Sequence, residues 1–256
     1  MKGAARSAYA QARLQARHGM RPDAQVWRRL ASVGDLANYL QVAQHTMLRP
    51  WVLGMQASKS SHAIELLLRQ QFRRYVQEVS QWLPVSWGSS VRWVKHMPDL
   101  PAMQHLLRGE TAYPWMLEDP ELRPYTAENV ASRLDTIRNS GLGYLVRAWQ
   151  QGTALHDAWL EQWQLLWPAG QGPGTGLKYL GRLLRQYLQA LHAAPGSPTE
   201  QQREILVSGL NFAFRRYSFE PAATCAHLGL IALDLEKLRG ELVRRALFSE
   251  VAQVQP

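Results

Sequence analysis

Apolar residues recur along this chain at helical intervals. Between residues 61 and 83, Ile64, Leu67, Leu68, Phe72, Tyr75, Val76 and Val79 follow the i, i+3, i+4, i+7 rule of an amphipathic helix. Ser60 or Ser61 can cap it, and Trp82-Leu83-Pro84 ends it, because the residue before a proline is pushed out of helical backbone. No stretch sustains period-two alternation of β-branched residues, and no Asn-Gly or Asp-Gly pair marks a hairpin. The pattern predicts an all-α, multi-helix chain with helices over 4–18, 23–32, 34–44, 61–82, 87–96, 100–108, 126–138, 141–150, 153–166, 177–192, 199–217 and 221–248. Breaks fall at Gly19–Pro22, Pro84, Pro98–Pro101, Pro114–Pro124, Pro168–Gly176 and Pro195–Pro198, and Asp23 and Asp35 fit N-caps.

The last helix has the sharpest pattern. Pro221 suits its first turn, and Leu228, Ile231, Leu235, Leu238 and Leu242 step by three and four, an a/d seam flanked by i, i+3 charge pairs such as Asp234–Lys237 and Glu241–Arg244. Only about two heptads are clean, so the seam is expected to pack inside this chain rather than against a second copy.

Two internal similarities point to repeated helical modules. Phe72-Arg73-Arg74-Tyr75 recurs as Phe214-Arg215-Arg216-Tyr217, and Leu36, Arg49, Trp51 and Gly54 match Leu134, Arg147, Trp149 and Gly152 at an offset of 98. They give a single helical domain over 1–256 with modules at 1–97, 98–170 and 171–256, arranged as a funnel or curved bundle. All ten tryptophans lie between Trp27 and Trp167, and Trp159, Trp163 and Trp167 share one helix face, as core packing requires.

Composition narrows the class. With 46% hydrophobic residues the chain can offset the entropy of ordering, and its lone cysteine, Cys225, excludes an intramolecular disulfide framework. The apolar run Leu228 to Leu233 ends at Asp234, far short of a membrane span. The net charge is +9, and it belongs to residues 1–100, where fourteen Lys and Arg face five Asp and Glu. Such a field favours an acidic protein, an anionic membrane surface or a nucleic-acid backbone. Arg exceeds Lys 24 to 5, so codon bias in a GC-rich genome accounts for the same excess as an ordinary solvated surface. Residues 1–20 carry arginines and no acid, as transit peptides do, but Tyr9, Arg13 and Arg17 recur every four residues and read as an ordinary first helix.

Catalytic patterns are weak. Gly170 to Gly176 is followed by Leu177 and Lys178 rather than the Lys and hydroxyl of a phosphate loop, and reads as a linker. The eight histidines lack metal-ligand spacing, Cys225 and His227 at i, i+2 splay apart on a helix, and no serine sits in a glycine elbow. No catalytic residue, metal ligand, cofactor or small-molecule substrate is assigned.

The run Tyr9-Ala-Gln-Ala-Arg13, Trp27 and Leu30, Leu36, Tyr39-Leu40 and His45-Thr46-Met47-Leu48 resembles the opening of the C/d subunit family of V-type rotary ATPases. Ile64-Glu65 with Leu68 and Arg69 looks like that family's next long helix, and Leu233 to Leu242 with Arg245 is similar to its final helix, so the resemblance covers about 110 residues at the two ends. It implies a non-catalytic, all-helical funnel on the cytoplasmic face of a membrane, docking the central stalk onto the membrane ring and transmitting torque for ion transport, with other subunits as partners. The chain departs from the family in being considerably shorter and strongly basic. The cations expected to meet a partner are Arg13, Arg17, Arg28, Arg29, Arg73, Arg74, Arg215 and Arg216. The alternative is a nucleic-acid-binding helical protein in which Phe72, Tyr75, Phe214 and Tyr217 stack on bases while the neighbouring arginines meet phosphate, which requires those aromatics to be exposed. An enzyme with a helical pocket would instead need convergent titratable groups in a cleft.

Overall fold

The computed structural model describes the backbone of residues 2–58, 60–168, 174–193 and 200–254, and the side chains of 5–58, 60–168, 174–193 and 200–247. Most of the linker assigned to Gly170–Gly176 and the break at Pro195–Pro198 lie outside the described residues. The described residues form helices joined by short turns, with no strand among them. In chain order the helices are α1 (Lys2–Gly19), α2 (Ala24–Ala31), α3 (Leu36–Gln44), α4 (Arg49–Val52), α5 (Ser61–Trp82), α6 (Gly88–Trp93), α7 (Leu100–Leu107), α8 (Pro114–Glu118), α9 (Val130–Arg138), α10 (Gly143–Gln150), α11 (Leu155–Leu165), α12 (Thr175–Ala193), α13 (Glu200–Arg216) and α14 (Pro221–Val254). The fold is all-α.

The boundaries follow side-chain chemistry. Asp23, Asp35 and Ser60 accept hydrogen bonds from the backbone N–H of Val26, Asn38 and Ala63, fixing the starts of α2, α3 and α5. Pro98, which has no N–H to donate, lies in a 3-10 segment over Val94–Asp99, so the helix expected over 87–96 ends as an α-helix at Trp93. The short helices α4 and α8, each opened by a proline in its first turn, have too few residues to show a period in sequence.

At the centre lies α14. Its seam residues Leu228, Ile231, Leu235, Leu238 and Leu242 are all buried, and it packs on α1, α3, α5, α12 and α13. The seam is therefore core, against other helices of the same chain. Thirty-four residues at 1.5 Å each make α14 about 51 Å long.

The repeat has a structural counterpart whose register differs from the one read in sequence. Asp35 caps α3 as Asn129 caps α9, ninety-four positions later. In the turn after each helix Thr46 Oγ1 donates to Ala43 O and accepts from Leu48 N, and Ser140 Oγ donates to Ile137 O and accepts from Leu142 N, again ninety-four apart. The left-handed glycines that close the units, Gly54 (φ 83°) and Gly152 (φ 84°), are ninety-eight apart. The four extra residues lie in α10, which has eight residues where α4 has four. Four residues add about one helical turn, so the later apolar positions keep their facing. Leu36 is therefore equivalent to Val130, and Leu134 to Leu40.

Candidate functional site

The eight predicted cations separate into three groups. Arg28 and Arg29 on α2, Arg74 on α5, and Arg215 and Arg216 on α13 are exposed. Arg13 and Arg17 are half-buried on α1 and share Glu78 of α5 at 3.5 and 3.3 Å, with the Arg13 guanidinium 4.5 Å from the Trp82 ring. Arg73 is the correction. It is 6% exposed and bound by two buried carboxylates, Asp99 at 2.6 Å and Asp119 at 2.7 and 3.0 Å, so it is structural and cannot meet a partner. Sequence reasoning missed both acids. The available signal was that Arg73 adjoins the apolar stripe of α5, three residues before Val76, whereas Arg74 points away. Burial pushes the Asp99 carboxyl up to about 6 despite the adjoining guanidinium of Arg73.

A second cluster joins α1 to α5, α13 and α14. His18 stacks on Phe214 with ring centroids 3.9 Å apart, and His227 Nε2 lies 2.7 Å from the Tyr75 hydroxyl. The two Phe-Arg-Arg-Tyr motifs thus converge on one histidine of α14 from opposite helices. Burial, then Arg21 and Arg215, hold His18 down at about 4; burial, then His18, Arg21 and Arg17, hold His227 at about 3. Both imidazoles are neutral at pH 7. Arg21 closes the cluster in a 2.7 Å ion pair with Asp234. Phe72 and Phe214 lie in the core and Tyr75 is buried. Three of the four rings that nucleic-acid binding by these motifs requires to be exposed are therefore buried, and Tyr217 is half-buried.

A concavity with a volume of about 600 Å³ lies between α5, α7, α8, α11, α12, α13 and α14. Its wall is mostly apolar, from Leu68, Phe72, Trp159, Leu188, Leu210 and Leu235 among others. The polar groups include the Arg239–Glu65 ion pair at 2.7 Å and Glu236, which is held at its rim by Arg203 of α13 at 3.1 Å. Arg69 also lines it, its guanidinium 4.1 Å from the Trp115 ring. Sequence pattern could not separate this groove from core, because its leucines belong to the same helical stripes.

Among the described residues no three His, Cys, Asp or Glu side chains gather as a metal site. Burial pushes the Cys225 thiol up to about 12, so it is a thiol and not a nucleophilic thiolate at pH 7. No helix is long and apolar enough to cross a membrane, among the residues described. Comparison with protein-family models, curated proteins and solved structures finds no match to this chain.

Proposed function

We propose that this protein is a non-catalytic docking subunit of a membrane-associated complex, the role that the C/d subunits of V-type ATPases fill beneath the central stalk. The open apolar groove carries this reading. A concavity of about 600 Å³ with leucine and aromatic walls loses packing contacts when filled only with water, and surfaces of this kind are where partners seat. The occupant proposed is an amphipathic helix of a partner subunit, its apolar face inward and its charged flanks against the Arg239–Glu65 and Arg203–Glu236 pairs. Force received there passes directly to α14, which lines the groove through Leu233 and Leu235 and packs on α1, α3, α5, α12 and α13. Nucleotide hydrolysis and ion passage belong to other subunits in this scheme.

Leu188→Glu tests the assignment. Leu188 is half-buried in the groove wall, so the variant is expected to stay folded but to lose at least tenfold of the partner subunits recovered from gently solubilised membranes. Recovery equal to wild type, from a variant with unchanged helicity, overturns the proposal.

A further inference from the structure

The hairpin of α12 and α13 has two unlike ends. The second half of α12, from Leu184 to Leu191, and the middle of α13, at Leu206 and Leu210, line the groove. At the other end three aromatics cluster: Tyr179 lies 5.4 Å from Phe212 and 5.9 Å from Tyr217, and Phe212 lies 6.3 Å from Tyr217, centroid to centroid. Phe212 is 47% exposed. Lys178 and Arg182 on α12 and Arg216 on α13 flank these rings, all exposed and none in an ion pair among the described residues. Arg215 extends the cationic surface toward α1, where it acts on His18 together with Arg21. Glu220 lies beside Gly176, while Glu78 is engaged by Arg13 and Arg17 of α1 and Asp234 by Arg21 in the turn after it.

We propose that this end of the molecule rests on an anionic phospholipid surface, with Phe212 and the two tyrosines at headgroup depth and Lys178, Arg182 and Arg216 on the lipid phosphates. Amphipathic rings flanked by cations suit the membrane interface, where the apolar body leaves water while the hydroxyl and the charges stay hydrated. Each cation adjoining an anionic leaflet strengthens attachment roughly fivefold, and long side chains reach the headgroups without bending the backbone. The inference rests on the membrane-associated docking role proposed above and names the contact made with the bilayer itself.

Co-sedimentation of the full chain with two kinds of vesicle tests it: phosphatidylcholine alone, and phosphatidylcholine mixed with phosphatidylglycerol. Binding is expected only to the mixed vesicles and is expected to weaken as salt rises. The combined variant Lys178→Glu, Arg182→Glu and Arg216→Glu should lower it at least about a hundredfold. Phe212→Ala should lower it about tenfold while leaving the salt dependence in place. All four side chains are exposed, so helicity and melting temperature serve as folding controls. Equal binding to both vesicles, or unchanged binding by the triple variant, overturns the proposal. So does tight binding of a single-stranded oligonucleotide through the same residues with no vesicle binding. Leu188→Glu is expected to bind mixed vesicles like wild type, so failure of the lipid contact and failure of groove docking are told apart.

Discussion

Asp119→Ala is expected to destabilise the protein by about 3–5 kcal/mol, the usual cost of breaking a buried ion pair from one side. Asp119 is fully buried, accepts two hydrogen bonds from Arg73 and one from the Glu121 backbone N–H, and lies 3.9 Å from Arg69. Its removal leaves two guanidinium groups sharing Asp99 and Glu65, in a place where water cannot compensate. For a chain of this size the melting temperature should fall by about 10 °C or more. Arg73→Met is expected to be comparably harmful, because Asp99 and Asp119 would then face each other without their shared cation. Urea unfolding of both variants measures the effect. A loss under about 1 kcal/mol in each would mean that the cluster is hydrated.

The second large effect is acid lability. Stability should fall steeply as the pH drops from about 6.5 to about 4. His18, His96 and His227 are held at about 4, about 4 and about 3 in the fold, chiefly by burial, against 6.5 for an ordinary imidazole. Below pH 6.5 the unfolded chain takes up protons that the folded chain refuses, so the stability present above 6.5 is lost progressively toward pH 4. Asp99 opposes this. Its folded value of about 6 exceeds its ordinary 3.8, so its contribution is full below 3.8 and lost as pH rises through 6. Burial raises Asp234 in the same sense as Asp99 and lowers His156 with the other histidines; the four histidines outweigh the two carboxyls, and for His227, which is wholly buried, the full loss is on the order of 4–5 kcal/mol. Melting curves at constant ionic strength between pH 7.5 and 4 should show the decline, and His227→Gln should flatten it while lowering stability at neutral pH. A flat wild-type profile would show that these imidazoles meet water in the folded state.

The parts of the fold legible in sequence were those set by local spacing. The stripe of α5, the caps at Asp23, Asp35 and Ser60, and the seam of α14 each follow from side chains within a few residues of one another. Pairings over long separations were not legible. Nothing near Arg73 announces Asp99 or Asp119, so two adjacent arginines that look alike in sequence have opposite fates, one in the core and one in water. The duplicated unit shows the same limit. Identity at Gly54 and Gly152 was visible, but the extra turn in α10 displaced the register of the preceding helix, and only the paired caps and hydroxyl turns recovered it. The groove stayed hidden because a leucine that faces a gap and a leucine that faces a neighbour obey the same period.

The central position of α14 has a consequence for biosynthesis. The helix that completes the packing of α1, α3 and α5 is the one translated after all of them, so these early segments leave the ribosome with their apolar sides uncovered. Folding of the N-terminal part must wait for the C-terminal part, rather than proceeding stepwise as independent repeats can. A nascent chain halted before Pro221 should consequently be protease-sensitive at α1, α3 and α5 and a client for chaperones.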